Sequence, residues 1–179
     1  MERVIPGTDL TRDGLAERGF CGFAPFGEPG ELSDSEVPTE AGIHVVLRPT
    51  ASRPEFLPVS TAGHFRGRDP SVAVEVLRAA WVEDAGILYV GKASAGRTGR
   101  RGLRKRLDEY RRHGAGQAVG HWGGRYIWQL RDSAALLVAW RPTAEQDPGD
   151  AEAGLIAEFM EVHGARPFAN RNRGLVRKA

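Results

Sequence analysis

Two short apolar segments constrain the fold of this chain most: GIHVVLR at residues 42–48 and ILYVG at residues 87–91. Each is rich in β-branched or aromatic residues and begins or ends with glycine, which is typical of buried strands rather than helices. Two longer segments have helical spacing of apolar residues, at 103–114 and 147–164. The sequence therefore predicts an α/β (α+β) domain in which a small mixed sheet is flanked by helices.

Weaker patterns predict the remaining elements of the domain. RYIWQL at 125–130 and ALLVAW at 135–140 are predicted strands, and RDSA between them is predicted to form a hairpin turn. DPSVAVEVLRAAW at 69–81 opens with a helix-start signal. Its valines also alternate as they would in a strand, so both structures remain open for that segment.

The N-terminal part differs from the rest of the chain. Residues 1–40 carry 3 basic and 9 acidic side chains, and their second half is rich in glycine and proline. A short helix is expected there, capped by Thr8 or Thr11 and ended by Gly19. We expect this region to be an extension that wraps the domain or links to it, and residues 41–179 to be the domain itself.

Length and cysteine content limit the class of protein. The chain has 179 residues, which fits one domain with an elaboration. Cys21 is the only cysteine, so an internal disulfide or a cysteine-based zinc site is excluded. No apolar run reaches 18 residues, and no secretion signal is evident, so we expect a cytoplasmic protein that does not act in a membrane. The oligomeric state is left open.

Charge is distributed unevenly along the chain. Residues 92–131 carry 11 basic and 2 acidic side chains, while residues 141–161 carry 1 basic and 6 acidic side chains. Most of the basic residues are arginine, which binds phosphate with a bidentate fork. A basic block beside an acidic one suits an enzyme that uses a metal on nucleic acid. A solvated charged face is an equally good interpretation of the charge alone.

The segment GILYVGKA at 86–93 has the glycine and lysine spacing of a phosphate-binding P-loop. Ala93 stands where that loop needs a Ser or Thr to ligate magnesium, and the residues between the glycines predict a strand rather than a loop. A nucleotide-binding role for Lys92 is therefore disfavoured.

Helix 103–113 brings three polar side chains to one face. At 100° per residue, Arg106, Tyr110 and His113 lie close together, bordered by leucines. This face is expected to point toward the body of the protein. An arginine there is unusual, although it could simply extend along apolar surface toward solvent.

The last helix carries a carboxylate on its apolar face. Glu152 lies at the centre of the stripe that is formed by Leu155, Ile156, Phe159 and Met160. A buried carboxylate is costly unless it is paired or ligates a metal. The favourable helix dipole in the first turns is an alternative reason for an acid at this position.

The two strands add a histidine and a tyrosine. His44 and Val46 are predicted to share one face of the sheet, and Tyr89 is predicted to share a face with Ile87. His44 and Tyr89 on adjacent strands could form one polar patch. Either residue alone is more often a satisfied core residue.

In this order, these pieces resemble the GIY-YIG nuclease superfamily. The residues that carry the resemblance are GIH at 42–44, YVGKA at 89–93, LRKRLDEY at 103–110, EAGLIAEF at 152–159 and PFAN at 167–170. The resemblance covers about residues 41–171 and places an insertion at 49–86. His44 stands where the family's first signature has a tyrosine.

The resemblance implies a DNA endonuclease that hydrolyses phosphodiester bonds with one divalent metal, Mg²⁺ or Mn²⁺. It implies that Glu152 holds the metal, that Arg106 stabilises phosphoryl charge, and that Tyr89 and His44 position or deprotonate water. Because an ordinary histidine pKa is near 6.5, His44 is the better base of the two. Lys92, Tyr110 and His113 are expected to support the site.

Further residues are expected to contact DNA, the implied partner: Arg104, Lys105, Arg125, Asn170 and Arg171. Trp122 and Trp128 could stack on bases, or they could belong to the core. Glu158 has a shorter spacing to the closing asparagine than Glu152 does, but only Glu152 combines the Leu-Ile spacing with the buried face. Two other functions remain open: a catalytically impaired DNA-binding module, and a regulatory subunit whose basic face binds an acidic protein.

Overall fold

The structure of the chain, a computed structural model, describes residues 9–26 and 36–171. Four strands and four helices make up this part of the chain. The strands are β1 (Cys21–Pro25), β2 (Gly42–Leu47), β3 (Ile87–Ala93) and β4 (Leu137–Pro142). The helices are α1 (Arg12–Glu17), α2 (Val74–Ala80), α3 (Gly102–Gly114) and α4 (Pro148–His163). The predicted α/β class and the two long helices are confirmed.

The strands form one sheet in the order β1-β4-β2-β3. Every neighbouring pair is antiparallel, so the expectation of a mixed sheet was wrong. Strand β2 is central: its His44 lies opposite Gly91 of β3 on one side and opposite Trp140 of β4 on the other. Because both neighbours and both faces are covered, all six residues of β2 are buried.

Strand β1 lies in a region where the sequence predicted only an extension and a loop. It pairs with β4, so that Cys21 lies opposite Trp140. Gly22 has a φ of +94° and lies against the Trp140 ring, where a side chain would not fit. The segment lacks the alternation of apolar residues that is typical of strands. Its strand structure therefore depends on pairing with the edge of β4. The N-terminal extension is therefore part of the domain's sheet up to Pro25.

Helix α1 precedes that strand and packs into one of the two cores. The Thr11 side chain accepts a hydrogen bond from the Gly14 N–H and caps the helix, as one of the two alternatives predicted. The other candidate cap, Thr8, lies outside the described residues. Leu15 of this helix and Phe20 of the following turn are buried in that core.

The segment RYIWQL is not a strand. Arg125–Gln129 forms a 3₁₀ helix and Ser133–Ala135 forms a second one, so the predicted hairpin was wrong. The Gln129 side chain accepts from the Val72 N–H and donates to the carbonyls of Leu57 and Val72. These bonds tie the segment to the long connection between β2 and β3. Tertiary contacts therefore override the local strand preference.

The sheet separates two apolar cores, as the alternation in β2 predicts. Val46 belongs to one core, and Ile43 belongs to the other. An irregularity in the pairing of β2 with β3 shifts the register between Val46 and its successor. As a result Tyr89 lies on the opposite face from Ile87, which corrects the expectation that the two share a face.

Residues 9–26 and 36–171 contain no candidate for a membrane-spanning helix. None of the helices there combines the length and the apolar character that crossing a bilayer requires.

Candidate active site

An open cleft of about 780 Å³ lies between β3, α3, α4 and two loops. Eight of the residues that the sequence analysis proposed for catalysis or DNA contact line it: Tyr89, Lys92, Arg106, Trp122, Arg125, Glu152, Asn170 and Arg171. Four others do not line it: His44, Tyr110, Arg104 and Lys105. The structure thus brings together residues that are up to 82 positions apart in the chain, from Tyr89 to Arg171.

Glu152 provides the carboxylate of the cleft. It lies in the second turn of α4, and its side chain is 22% exposed. Burial raises the pKa of Glu152, while the positive charges of Lys92 and Arg106 act in the opposite direction. The Lys92 Nζ lies 3.4 Å from Glu152 Oε2. A cation bound next to Glu152 would favour its ionised form further.

The competing carboxylate, Glu158, has a structural role. Its two oxygens accept hydrogen bonds from the Arg18 guanidinium at 2.8 and 3.0 Å. This bidentate pair ties α4 to the end of α1. Glu152 is therefore the one of the two that faces the cleft. Met160, predicted to be buried, is 40% exposed and lines the cleft instead.

Arg106 contributes the central positive charge. Its side chain is 30% exposed and its guanidinium lies 3.9 Å from Glu109. Glu109 is already held by two shorter hydrogen bonds from Arg101, at 2.9 and 3.0 Å. Arg106 is thus only weakly paired and can turn its guanidinium toward an anion in the cleft.

Tyr89 lies at the floor of the cleft and is 6% exposed. Burial raises the pKa of Tyr89 to about 12, with Arg106 opposing this shift and Glu152 adding to it. A Cβ at Gly123 would lie 2.9 Å from the Tyr89 hydroxyl oxygen, so only a glycine leaves room for that hydroxyl. At neutral pH the residue is a neutral phenol that can orient a water molecule.

His44 lies beneath Tyr89 and is fully buried. Burial, and then the charge of Arg106, lower the pKa of His44 to about 3. Its ring centroid is 5.8 Å from that of Tyr89, and the ring fills the space that a Cβ at Gly91 would need. The expected base with a pKa near 6.5 at the cleft surface is therefore corrected to a buried neutral imidazole.

Tyr110 and His113 are also buried rather than exposed to the cleft. The Tyr110 hydroxyl donates to the Gly124 carbonyl at 2.8 Å, and its ring stacks on His121 at a centroid distance of 4.0 Å. Tyr110 therefore positions the loop that lines the cleft instead of contacting a substrate.

Asn170 lines the cleft and also closes the edge of the sheet. Its Oδ1 accepts from the Val90 N–H at 2.9 Å, and its Nδ2 donates to the Val90 carbonyl at 2.8 Å. The Ala169 N–H also donates to the Leu88 carbonyl. These bonds pair the outer edge of β3, which would otherwise be open. Both polar ends of the amide thus bond to β3, and the expected contact of Asn170 with DNA stays a prediction.

Arg104 also has a structural partner. Its Nε donates to the Val37 carbonyl at 2.9 Å, while its own backbone N–H donates to the Pro38 carbonyl. These bonds cap the first turn of α3, which has no side-chain cap. Lys105 is exposed and lies 4.0 Å from Glu109, away from the cleft.

Two glycines of the segment 121–125 were not recognised in the sequence as part of the site, although Trp122 and Arg125 beside them were. Gly123 and Gly124 line the cleft, and Gly124 has a φ of +74°. A Cβ at Gly124 would collide with the Tyr110 hydroxyl. The paired glycines in HWGGR were the available signal, because they mark a turn that comes close to other groups. Trp122 lines the cleft, whereas Trp128 is in the core.

Among the residues that the structure describes, Glu152 is the one carboxylate that lines the cleft and could bind a divalent cation. No group of three or more His, Cys, Asp or Glu side chains suited to a metal is present in the described parts of the chain. Mg²⁺ keeps most of its waters and commonly uses one or two carboxylates together with substrate phosphates. Glu152 fits that mode of binding, in which the substrate completes the coordination.

Acid should weaken the fold through the buried histidines. The pKa values of His44 and His121 are lowered by burial, so the folded protein keeps both neutral while the unfolded chain protonates them below about 6.5. The unfolded state then binds more protons, and stability is lost as the pH falls below about 6.5. Each histidine is expected to remove on the order of 1 kcal/mol per pH unit. Urea unfolding between pH 5 and 8 measures this dependence.

His121→Gln should reduce that pH dependence, because one buried imidazole is gone. His64→Gln is the matched control, since the His64 side chain is 67% exposed. An unfolding free energy that stays level from pH 8 to pH 5 would contradict the assignment of neutral buried histidines.

Comparisons with protein-family models, curated proteins and solved structures gave no match. The chain's relation to GIY-YIG nucleases therefore stays the resemblance of its motifs.

Proposed function

We propose that this protein is a divalent-metal-dependent DNA endonuclease with a GIY-YIG-like catalytic domain. One observation carries the proposal: Tyr89, Lys92, Arg106 and Glu152 line a single cleft although they come from three separate elements. An acid with a raised pKa beside two cations and a phenol is an arrangement suited to phosphoryl chemistry.

Arg106, Lys92 and Glu152 have separate roles in this proposal. Arg106 donates hydrogen bonds to the phosphoryl oxygens and stabilises the charge that develops there. Lys92, whose side chain is 49% exposed, provides a second cation at the same phosphate. Mg²⁺ or Mn²⁺ held by Glu152 would supply Lewis-acid polarisation of the phosphate and charge stabilisation at the leaving oxygen.

The role of Tyr89 follows from its protonation state. A phenol whose pKa is raised to about 12 keeps its proton at neutral pH, so it orients the attacking water instead of removing its proton. His44 lies one layer deeper and supports Tyr89 through packing, with ring centroids 5.8 Å apart. The His44 variation of the signature is therefore compatible with activity.

A nuclease assay tests the proposal directly. Supercoiled, linear and single-stranded DNA are incubated with the protein in Mg²⁺ or Mn²⁺, with a chelator as the control. Cleavage that requires the metal is the expected result. Intact DNA with either metal, under conditions in which the protein binds DNA, would contradict it.

A DNA-binding module without catalysis is the second candidate. The ion pair between Lys92 and Glu152, at 3.4 Å, favours it, because the lysine occupies the position that a metal would need. Salt-dependent DNA binding without cleavage by either metal would support this candidate over the first.

DNA affinity should fall steeply as salt rises. Several basic residues are already paired internally: Arg101 with Glu109, Arg111 and Arg112 with Asp108, and Arg131 with Glu55. The cleft offers Lys92, Arg106, Arg125 and Arg171 to phosphates. Four such contacts predict that log K falls with log salt at a slope of about −3 to −4. Titration of a labelled duplex at several salt concentrations measures this slope, and an affinity independent of salt would contradict a nucleic-acid role.

A further inference from the structure

Two arginines that are distant in the chain meet at one tryptophan. The guanidinium carbon of Arg68 lies 5.0 Å from the Trp122 ring centroid, and that of Arg125 lies 4.7 Å from it. Trp122 and Arg125 line the cleft on either side of its two glycines. Arg68 belongs to segment 49–86, so this segment adds a residue to the edge of the cleft. We refer to these three residues as the Trp122 cluster.

The positive charges of the Trp122 cluster are not balanced by acids. Within the described ranges, no carboxylate lies within 4.0 Å of the Arg68 or Arg125 guanidinium. The Nε of Arg125 is buried and has no acceptor among the residues described. Burial lowers the pKa of Arg125, Tyr126 opposes this shift, and the charge of Arg68 adds to it. An anion would relieve the repulsion and satisfy the donor.

The turn that carries Arg68 is held rigidly. Phe65 and Arg68 exchange two backbone hydrogen bonds, at 3.2 and 3.0 Å. Between them, Arg66 and Gly67 both have positive φ, 51° and 72°, as a type I′ turn requires. The Phe65 ring packs against Gly120, where a Cβ would lie 3.1 Å from it.

The base of this turn is tied to the end of α3 and to the 3₁₀ helix Arg125–Gln129. The Gly63 N–H donates to the His113 carbonyl at 2.8 Å, and the Thr61 N–H donates to the Trp128 carbonyl at 3.1 Å. Gly63 also lies directly against the Gln117 backbone. These contacts fix the position of Arg68 beside Trp122.

We propose that the Trp122 cluster is a second phosphate site, which binds a backbone phosphate of the nucleic acid next to the one at Arg106 and Glu152. This inference rests on the proposed function, because the occupant is the same substrate strand. Guanidinium groups match phosphate geometry, and the Trp122 ring keeps both of them beside the cleft. Segment 49–86 then contributes to how tightly the substrate is held.

Arg68→Ala tests the site, with Arg78→Ala as the matched control. Both side chains are exposed and belong to segment 49–86, but Arg78 is on α2. Binding of a labelled DNA duplex is measured in Ca²⁺ over about 50 to 200 mM salt. Arg68→Ala is expected to weaken binding about tenfold and to reduce the salt slope by about one. Arg78→Ala should match the unchanged protein.

A third variant separates phosphate binding from support of Trp122. Arg68→Lys keeps the positive charge and should keep the salt slope of the unchanged protein. Loss of slope in both Arg68 variants would mean that Arg68 only supports the tryptophan, which overturns the inference. Equal losses in Arg68→Ala and Arg78→Ala would also overturn it, because they would reflect net charge alone.

Two results distinguish failure of the site from failure of the proposed function. If the unchanged protein binds DNA and Arg68→Ala binds equally well, the second phosphate site is wrong and the nuclease proposal stands. If the unchanged protein binds no DNA at any salt concentration, the proposed function itself is wrong, and the second phosphate site with it.

Discussion

Replacing Glu152 with glutamine is expected to reduce DNA cleavage on the order of 10³-fold or more. The amide has the same shape but no negative charge, so the cleft loses the ligand that would hold the metal. DNA affinity should stay nearly constant, because Glu152 makes no favourable contact with a phosphate. Cleavage of supercoiled DNA and duplex binding, measured side by side, check the two halves of this expectation.

The stability of Glu152→Gln provides an independent readout. Burial raises the pKa of Glu152, so the ionised form is disfavoured in the folded protein relative to the unfolded chain. By linkage, the negative charge of Glu152 therefore reduces the stability of the folded protein at neutral pH. Removing this charge should leave the free energy of unfolding unchanged or higher. A variant that is inactive but at least as stable marks a residue retained for function.

Glu158→Gln is the matched control on the same helix. It breaks the bidentate pair with Arg18, so it should lower stability while each folded molecule keeps its activity. If Glu152→Gln remains active and Glu158→Gln does not, then Glu158 is the metal ligand and the assignment is wrong.

Tyr89→Phe is expected to slow cleavage by about 10²-fold, the order of effect expected when a reacting group loses its correct position. The ring is kept, so the packing against His44 and Tyr110 is kept as well. Only the hydroxyl beside Gly123 disappears. Single-turnover cleavage rates at saturating DNA give the measurement.

His44→Asn tests whether the buried imidazole takes part in activating the water. Because the pKa of His44 is lowered to about 3, its titration cannot shape the rate between pH 5 and 8. The pH profile of His44→Asn should therefore follow that of the unchanged protein in this range. A step near pH 6 to 7 that disappears in His44→Asn would show that the imidazole is the base after all.

Much of the site followed from local patterns in the sequence. The apolar spacing of α3 and α4 located Arg106 and Glu152, and the glycine-lysine pair near the end of β3 located Lys92. These predictions succeeded because helix and strand periodicity decides which side chains share a face. The predicted activity remains a proposal, since geometry alone does not show a reaction.

Other residues have roles that no local pattern indicates. Asn170 and Arg104 were expected to contact DNA, but their hydrogen bonds go to Val90 and Val37, 80 and 67 positions away in the chain. His44 was expected to position or deprotonate water, but it is fully buried next to Tyr89. Such roles depend on which groups from distant parts of the chain folding places next to each polar side chain.

By itself, the sequence determined the α/β class, the bounds of the main helices and the faces that carry Arg106 and Glu152. Only the tertiary structure decided that β1 joins the sheet, that Arg125–Gln129 is a 3₁₀ helix and that Arg68 reaches Trp122. The physical reason is the range of the interactions. Periodicity and capping act within a few residues. Strand pairing, burial of a titratable ring and cation–π contacts depend on groups that folding brings together from distant parts of the chain.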